Sequence, residues 1–179
     1  MIYLFLAEGF EEIEALAAVD ILRRAGADLA TVGVGGKKLK GAHGVLVTAD
    51  LQEKDIDLAN IDMVILPGGG LGTKNLENSP IVRACIGYCS QNGKYLAAIC
   101  AAPSILGHMD LLQGHQAVCY PGFERELNAD SVPDVPVCVS GKFITAKGAG
   151  VAVEFALKLV EILMGPKKSL EIRNSIQCM

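Results

Sequence analysis

Tryptophan is absent from this 179-residue chain, and aromatic residues together make up only 5% of it. Its interior must therefore be filled by small aliphatic side chains. Apolar residues supply 51% of the sequence, a content that fits a compact domain and excludes a disordered one. No apolar run approaches the roughly 20 residues needed to cross a bilayer, so no membrane partner is expected. Cations are neither numerous nor clustered: 16 Lys and Arg against 20 Asp and Glu leave a net charge of −4. That balance lacks the electrostatic footprint of a nucleic-acid binder. The opening "MIYLFLA" has no basic lead-in and no small-residue cleavage site, so it reads as a first strand and not a signal peptide. With no export signal, a cytoplasmic protein with reduced thiols is expected, despite six cysteines. Cys85 and Cys89 lie one helical turn apart but have no supporting His or second Cys pair, so no metal site is assigned.

Apolar, β-prone runs alternate with helical patterns along the chain. Strands are expected over residues 2–7, 28–34, 63–66 and 96–99, with short ones over 117–119, 137–139 and 143–145. Residues 43–48 read as extended, one arm of a hairpin after a Gly/Lys turn. Helices are expected over 11–25, stopped by Gly26, over 80–91, stopped by Gly93, and over 103–108 and 151–164. The alternation implies βαβ crossovers and a doubly wound, mainly parallel sheet with helices on both faces. Residues 1–165 form a single α/β domain in this reading, and the polar tail over 166–179 is a surface appendage.

In open parallel sheets, reactive groups gather beyond the carboxyl ends of the central strands. Three stretches end there: "AEGFEEIE", "LPGGGLG" and "AAICAAP". The last has the form of a nucleophile elbow, with Cys100 for the usual Ser and Ala for the usual Gly, because such a turn admits only small neighbours. Pro103 suits the first turn of the following helix, whose positive end would favour thiolate. A small buried core cysteine fits the same residues equally well. The glycine run lets backbone N–H groups approach a ligand and form an oxyanion hole beside a nucleophile; a simple turn is the plainer alternative. Its spacing matches neither the Walker nor the dinucleotide pattern. Glu11 and Glu12 are expected to face solvent at a helix N-terminus. Glu14 can turn toward the sheet end, where a protonated carboxyl would hydrogen-bond the sulfur and the two titrations would be coupled.

"GFEEIEA", "VDILRRAG", "VILPGG", "AAICAAP" and "GAGVAVEFAL" occur in the order and spacing of the ThiJ/PfpI superfamily, and the sequence most resembles its Parkinsonism-associated deglycase branch. The resemblance covers nearly the whole chain to about Gly165. It implies a flavodoxin-like three-layer sandwich, a homodimer, and activity without a cofactor on small reactive carbonyls. By motif, Cys100 matches the reactive cysteine and Glu14 the acid that hydrogen-bonds it. Gly69 and Ala101 match the backbone donors, with Gly68 and Tyr120 lining the same site, and Asp20 and Arg24 match positions near the site and the dimer contact. Two departures matter. Ala101 stands where the protease-like branch has His, which argues against peptidase activity. Tyr120-Pro121 replaces a His-Pro, so no Cys-His pair is expected, and His43, His108 and His115 fall on no catalytic motif.

The leading expectation is a cysteine enzyme that attacks an aldehyde such as methylglyoxal, with Glu14 as proton shuttle. A rival is a redox-responsive stress protein or chaperone whose accessible, low-pKa Cys100 is oxidised to sulfinate without turnover. A glutamine amidotransferase shares the elbow but needs a downstream His-x-Glu pair, which this sequence lacks.

Overall fold

The computed structural model describes residues 1–178. The chain runs β1 (Ile2–Leu6), α1 (Glu12–Arg24), β2 (Leu29–Gly33), β3 (Lys38–Lys40), β4 (Leu46–Thr48), β5 (Leu51–Gln52), β6 (Met63–Leu66), α2 (Gly70–Asn78), α3 (Pro80–Gln91), β7 (Tyr95–Ile99), α4 (Pro103–His108), β8 (Val137–Ser140), β9 (Phe143–Ala146), α5 (Ala152–Met164) and α6 (Pro166–Ser175). Seven strands make one sheet in the order β5-β2-β1-β6-β7-β9-β8. Every pairing in it is parallel except β8 with β9.

Strand side chains alternate between two faces, so each strand feeds two cores. Leu4, Leu6, Met63 and Ile65 pack with Ala18, Leu22 and Phe155 beneath α1 and α5. Phe5, Val64, Leu66 and Ala98 pack with Leu76, Val82, Ile86 and Ile105 beneath α2, α3 and α4. The result is the doubly wound, mainly parallel sheet that the alternating pattern implies, in the flavodoxin-like three-layer sandwich that the family resemblance implies. Because β1, β6, β7 and β9 are adjacent and parallel, their carboxyl ends come out side by side at one edge. Cys85 and Cys89 are fully buried in the second core, and burial pushes their thiols up to about 11 and about 12. They are packing residues.

Several details differ from the sequence-based expectation, among them β5 and α2, which it did not include. Residues 117–119 are buried but form no strand: Val118 N–H donates to Thr145 Oγ1 (2.9 Å) and Ala117 N–H to Ser131 O (3.2 Å), so side-chain and loop acceptors replace a ladder. The Gly/Lys segment before residue 43 carries β3, which pairs antiparallel with β4 to complete the hairpin. The polar tail does not hang free. It forms α6, which buries Ile172 and donates from Ser169 Oγ to Leu157 O (2.8 Å) on α5.

Candidate active site

Cys100 follows β7 directly, and its φ of +66° places a non-glycine residue in the left-handed region. That conformation is strained and is held from both sides: Cys100 N–H donates to Ala146 O (3.0 Å) on β9, and its carbonyl accepts from Tyr120 N–H (2.8 Å). The elbow reading of "AAICAAP" therefore describes the backbone, and the simple core-cysteine reading does not, because the side chain is only half-buried.

The glycine run delivers two N–H groups to different partners. Gly68 N–H donates to Glu14 Oε2 at 2.8 Å, so it serves the acid and not an oxyanion. The N–H groups of Gly69 and Ala101 lie near the Cys100 sulfur and oppose the rise in its pKa. Glycine is required at both positions. A Cβ at Gly68 would lie 2.6 Å from the Cys100 Cβ and 2.6 Å from Glu14 Oε2. Gly69 has φ +93°, and a Cβ there would meet the Gly9 carbonyl oxygen at 2.3 Å. The close packing of "PGGG" on the Gly9–Phe10 turn, together with the Glu11 N–H bond to Gly68 O (3.0 Å), positions Glu14 against the sulfur.

Glu14 is 1% exposed and its second oxygen, Oε1, has no hydrogen-bond partner among the described residues. Burial raises its carboxyl to about 7, against the opposing pull of the Gly68 N–H. Burial, and next the neighbouring Glu14 charge, push the Cys100 thiol up to about 12. The low-pKa thiol expected from sequence is thus not the resting state. The short α4 does not outweigh the desolvation of the sulfur. Thiol and carboxyl behave as one unit that loses a single proton near neutrality and resists losing a second.

Tyr120 stands at the mouth, half-exposed, with its ring against Gly148, which also faces Glu14 Oε1. Two clefts open beside residues that neighbour the elbow. One is formed by Tyr120, Pro121 and residues 147–151, and the other runs from Gly70 and Ala101 between α2 and α4. Asp20 and Arg24 are not part of this site. They pair with each other at 2.7 Å and line a separate cleft with Ser175 and Gln177 between α1 and the C-terminal segment.

Glu11 and Glu12 do not face solvent as expected. Glu11 caps α1 by accepting the Glu14 N–H (2.8 Å). Glu12 is buried under the β3–β4 hairpin, where it accepts the His43 N–H (2.7 Å) and contacts His43 Nδ1 (2.8 Å). Burial pushes its carboxyl up, but His43 and the Val45 N–H outweigh that effect and hold it below the usual value. A sequence signal existed: three acids stand at one helix start and only one can occupy the cap. The partner 31 residues away was invisible.

A half-buried cysteine at a strained strand-to-helix turn, a carboxyl beside it and two backbone donors define a flavodoxin-like protein with a nucleophile elbow. The model of the DJ-1/PfpI family matches residues 1–162, and the chain belongs to that family. It is 35% identical over 174 residues to Protein DJ-1 homolog B of Arabidopsis thaliana, a match that covers 96% of this chain but only 40% of that protein. It is 32% identical over 164 residues to the glutathione-independent glyoxalase DJR-1.2 of Caenorhabditis elegans, covering 90% of this chain and 87% of that one. The solved structure of Toxoplasma gondii DJ-1, oxidized, superposes with a TM-score of 0.95 at 35% identity, over 98% of this chain and 97% of that one.

Proposed function

We propose that this protein is a cofactor-independent cysteine enzyme acting on small reactive carbonyls, converting methylglyoxal to lactate. The observation that carries the reading is the Cys100–Glu14 pair, a thiol beside a buried acid whose carboxyl sits near 7. Glu14 takes the thiol proton as the sulfur attacks the aldehyde carbon. The C–S bond forms, the carbonyl electrons move to oxygen, and the proton returns there, giving a hemithioacetal. Glu14 then removes the proton on that carbon and a proton is delivered to the neighbouring carbonyl carbon. The first carbon is oxidised and the second reduced within one molecule, so no external oxidant or hydride carrier is needed. Water cleaves the resulting thioester to lactate and free thiol. The N–H groups of Gly69 and Ala101 steady the sulfur and the oxygen it generates. The same steps on an amine or thiol adduct amount to deglycation.

The relative named a glyoxalase supports this reading. A passive oxidation sensor needs a resting thiolate, which burial and Glu14 oppose; an enzyme needs only a base that takes the proton as substrate binds. The test is the pH profile of methylglyoxal turnover. kcat/KM is expected to rise about tenfold per pH unit below 7 and to level off above it. A profile that is flat from pH 5 to 8 overturns the reading.

A homodimer is part of the proposal. Ile13, Val45 and Leu46 are exposed apolar side chains on α1 and the hairpin, with Leu46 74% accessible, and the buried Glu12 holds that hairpin turn in place. Burying a leucine contributes about 1.5–3 kcal/mol, so Leu46→Glu should weaken association at least tenfold in analytical ultracentrifugation. An unchanged sedimentation profile counts against this face.

A further inference from the structure

The strained backbone of Cys100 is held in part from outside the sheet, by the Tyr120 N–H on its carbonyl. A residue in the left-handed region keeps that conformation only while its surroundings dictate it. What holds Tyr120 in place therefore helps to hold the sulfur in place. Tyr120 begins an irregular segment whose hydrogen bonds run in one direction. The Phe123 N–H donates to Tyr120 O (3.1 Å), and the Glu126 N–H donates to Phe123 O (3.0 Å). With the bond from Tyr120 N–H to Cys100 O (2.8 Å), three links join Glu126 to the elbow.

The second route away from the elbow is α4, which ends at His108. There the two routes meet. His108 Nε2 lies 3.3 Å from Glu126 Oε2, while Nδ1 lies 2.6 Å from Glu77 Oε1 on α2. The Glu77 contact sets which way the ring is turned, so that its other nitrogen faces Glu126. The main chain is close at the same place. A Cβ at Gly107 would lie 2.6 Å from Leu127 Cα and closer still to Glu126 O, so only glycine lets α4 approach the segment this far. Asn128 Nδ2 donates to Gly107 O (3.2 Å), and Leu127 is fully buried. Cys100, α4, Glu126, Phe123 and Tyr120 thus form a closed ring of contacts that His108 ties to α2.

An isolated ion pair at this degree of exposure contributes little to stability. The position of this one gives it a different role, because it joins three elements where the ring closes. We propose that His108 is a positioning residue for Cys100: by holding Glu126 against α2 it keeps the Tyr120 N–H on the elbow carbonyl. It acts through Glu126 and Tyr120 and not by contact with the sulfur. The kinetic part of this inference rests on the carbonyl reaction proposed above; the hold on Tyr120 does not.

The test pairs amide hydrogen exchange with steady-state kinetics on the full chain. In His108→Gln, exchange at the Tyr120 N–H should quicken at least about fivefold. Exchange at the Val118 N–H, which is bonded to Thr145, should not change. The kcat for methylglyoxal should fall about tenfold with KM held within about twofold, since a misplaced sulfur weakens the transition state more than the first encounter. Arginine's planar fork offers donors to both carboxylates, so His108→Arg should restore exchange and kcat together. Glu126→Gln should reproduce the His108→Gln effects and add little to them in the double variant. Unchanged Tyr120 exchange in His108→Gln, or quickening that reaches Val118 equally, overturns the inference. So does a higher KM at unchanged kcat. Quickened Tyr120 exchange in His108→Gln, from a wild type that does not turn over methylglyoxal, sinks the carbonyl reading alone.

Discussion

Cys100→Ala is expected to lower methylglyoxal turnover by at least about 10³-fold while leaving the fold in place. No other group among those gathered at this sheet edge can take its role. Glu14 alone is a base without a nucleophile, and Cys85, Cys89, Cys119 and Cys138 are all buried with raised thiols. Cys178 lies at the C-terminal end, bonded to Arg173 on α6 and remote in sequence from every site loop. Cys100→Ser should be nearly as inactive, since a hydroxyl is far harder to ionise beside a carboxylate than a thiol is. Lactate release by enzymatic assay is the readout. Wild-type turnover by the alanine variant would remove the sulfur from the mechanism.

Glu14→Gln should be inactive and yet more resistant to unfolding above neutrality. The carboxyl ionises near 4.5 when unfolded and near 7 when folded. Between those values the native state holds a proton that the unfolded chain has released. Stability conferred below pH 4.5 is therefore lost as pH rises to 7 and stays lost above. The loss is about 3 kcal/mol, at about 1.4 kcal/mol per pKa unit. Glutamine retains an acceptor for the Gly68 N–H but carries no charge, so its variant should lack this decline. Relative to wild type, its melting temperature should gain about 6–12 °C on moving from pH 4.5 to pH 8. Parallel curves for the two proteins would mean that Glu14 is not held protonated by burial. A gain in stability coupled to a loss of activity is what a site that stores an unfavourable charge for chemistry should show.

Much of this could be read from residue order. The alternation of β-prone runs with 3.6-period stretches fixed the parallel sheet, and small residues around Cys100 marked the turn. What escaped depended on groups distant in sequence. α2 was not expected because Gly70 and Gly72 are poor helix formers; Gly72 is there because a Cβ would strike Phe10 backbone atoms at 2.7 and 2.8 Å. Residues 117–119 have strand composition, but their donors are taken by Thr145 and Ser131. Glu12 looked like an ordinary helix-start acid until His43 closed over it. Asp20 and Arg24, a turn apart on α1, satisfy each other and leave the reactive edge to Glu14. The thiol's raised pKa likewise could not be read from motif, because desolvation depends on what surrounds the sulfur.

The account stands on a thiol and a carboxyl that release one proton between them near neutrality. Thiolate absorbance near 240 nm, taken as wild type minus Cys100→Ala across pH 5 to 10, follows the sulfur, and the same titration in Glu14→Gln removes its partner. Coupling predicts that the wild-type sulfur gives little thiolate signal by pH 10, because the proton lost near 7 comes from the carboxyl, and that Glu14→Gln, which removes the carboxylate charge, moves the sulfur's titration to lower pH. An identical single titration near 9 in both proteins would show an isolated cysteine, and the proposed proton shuttle would have no basis.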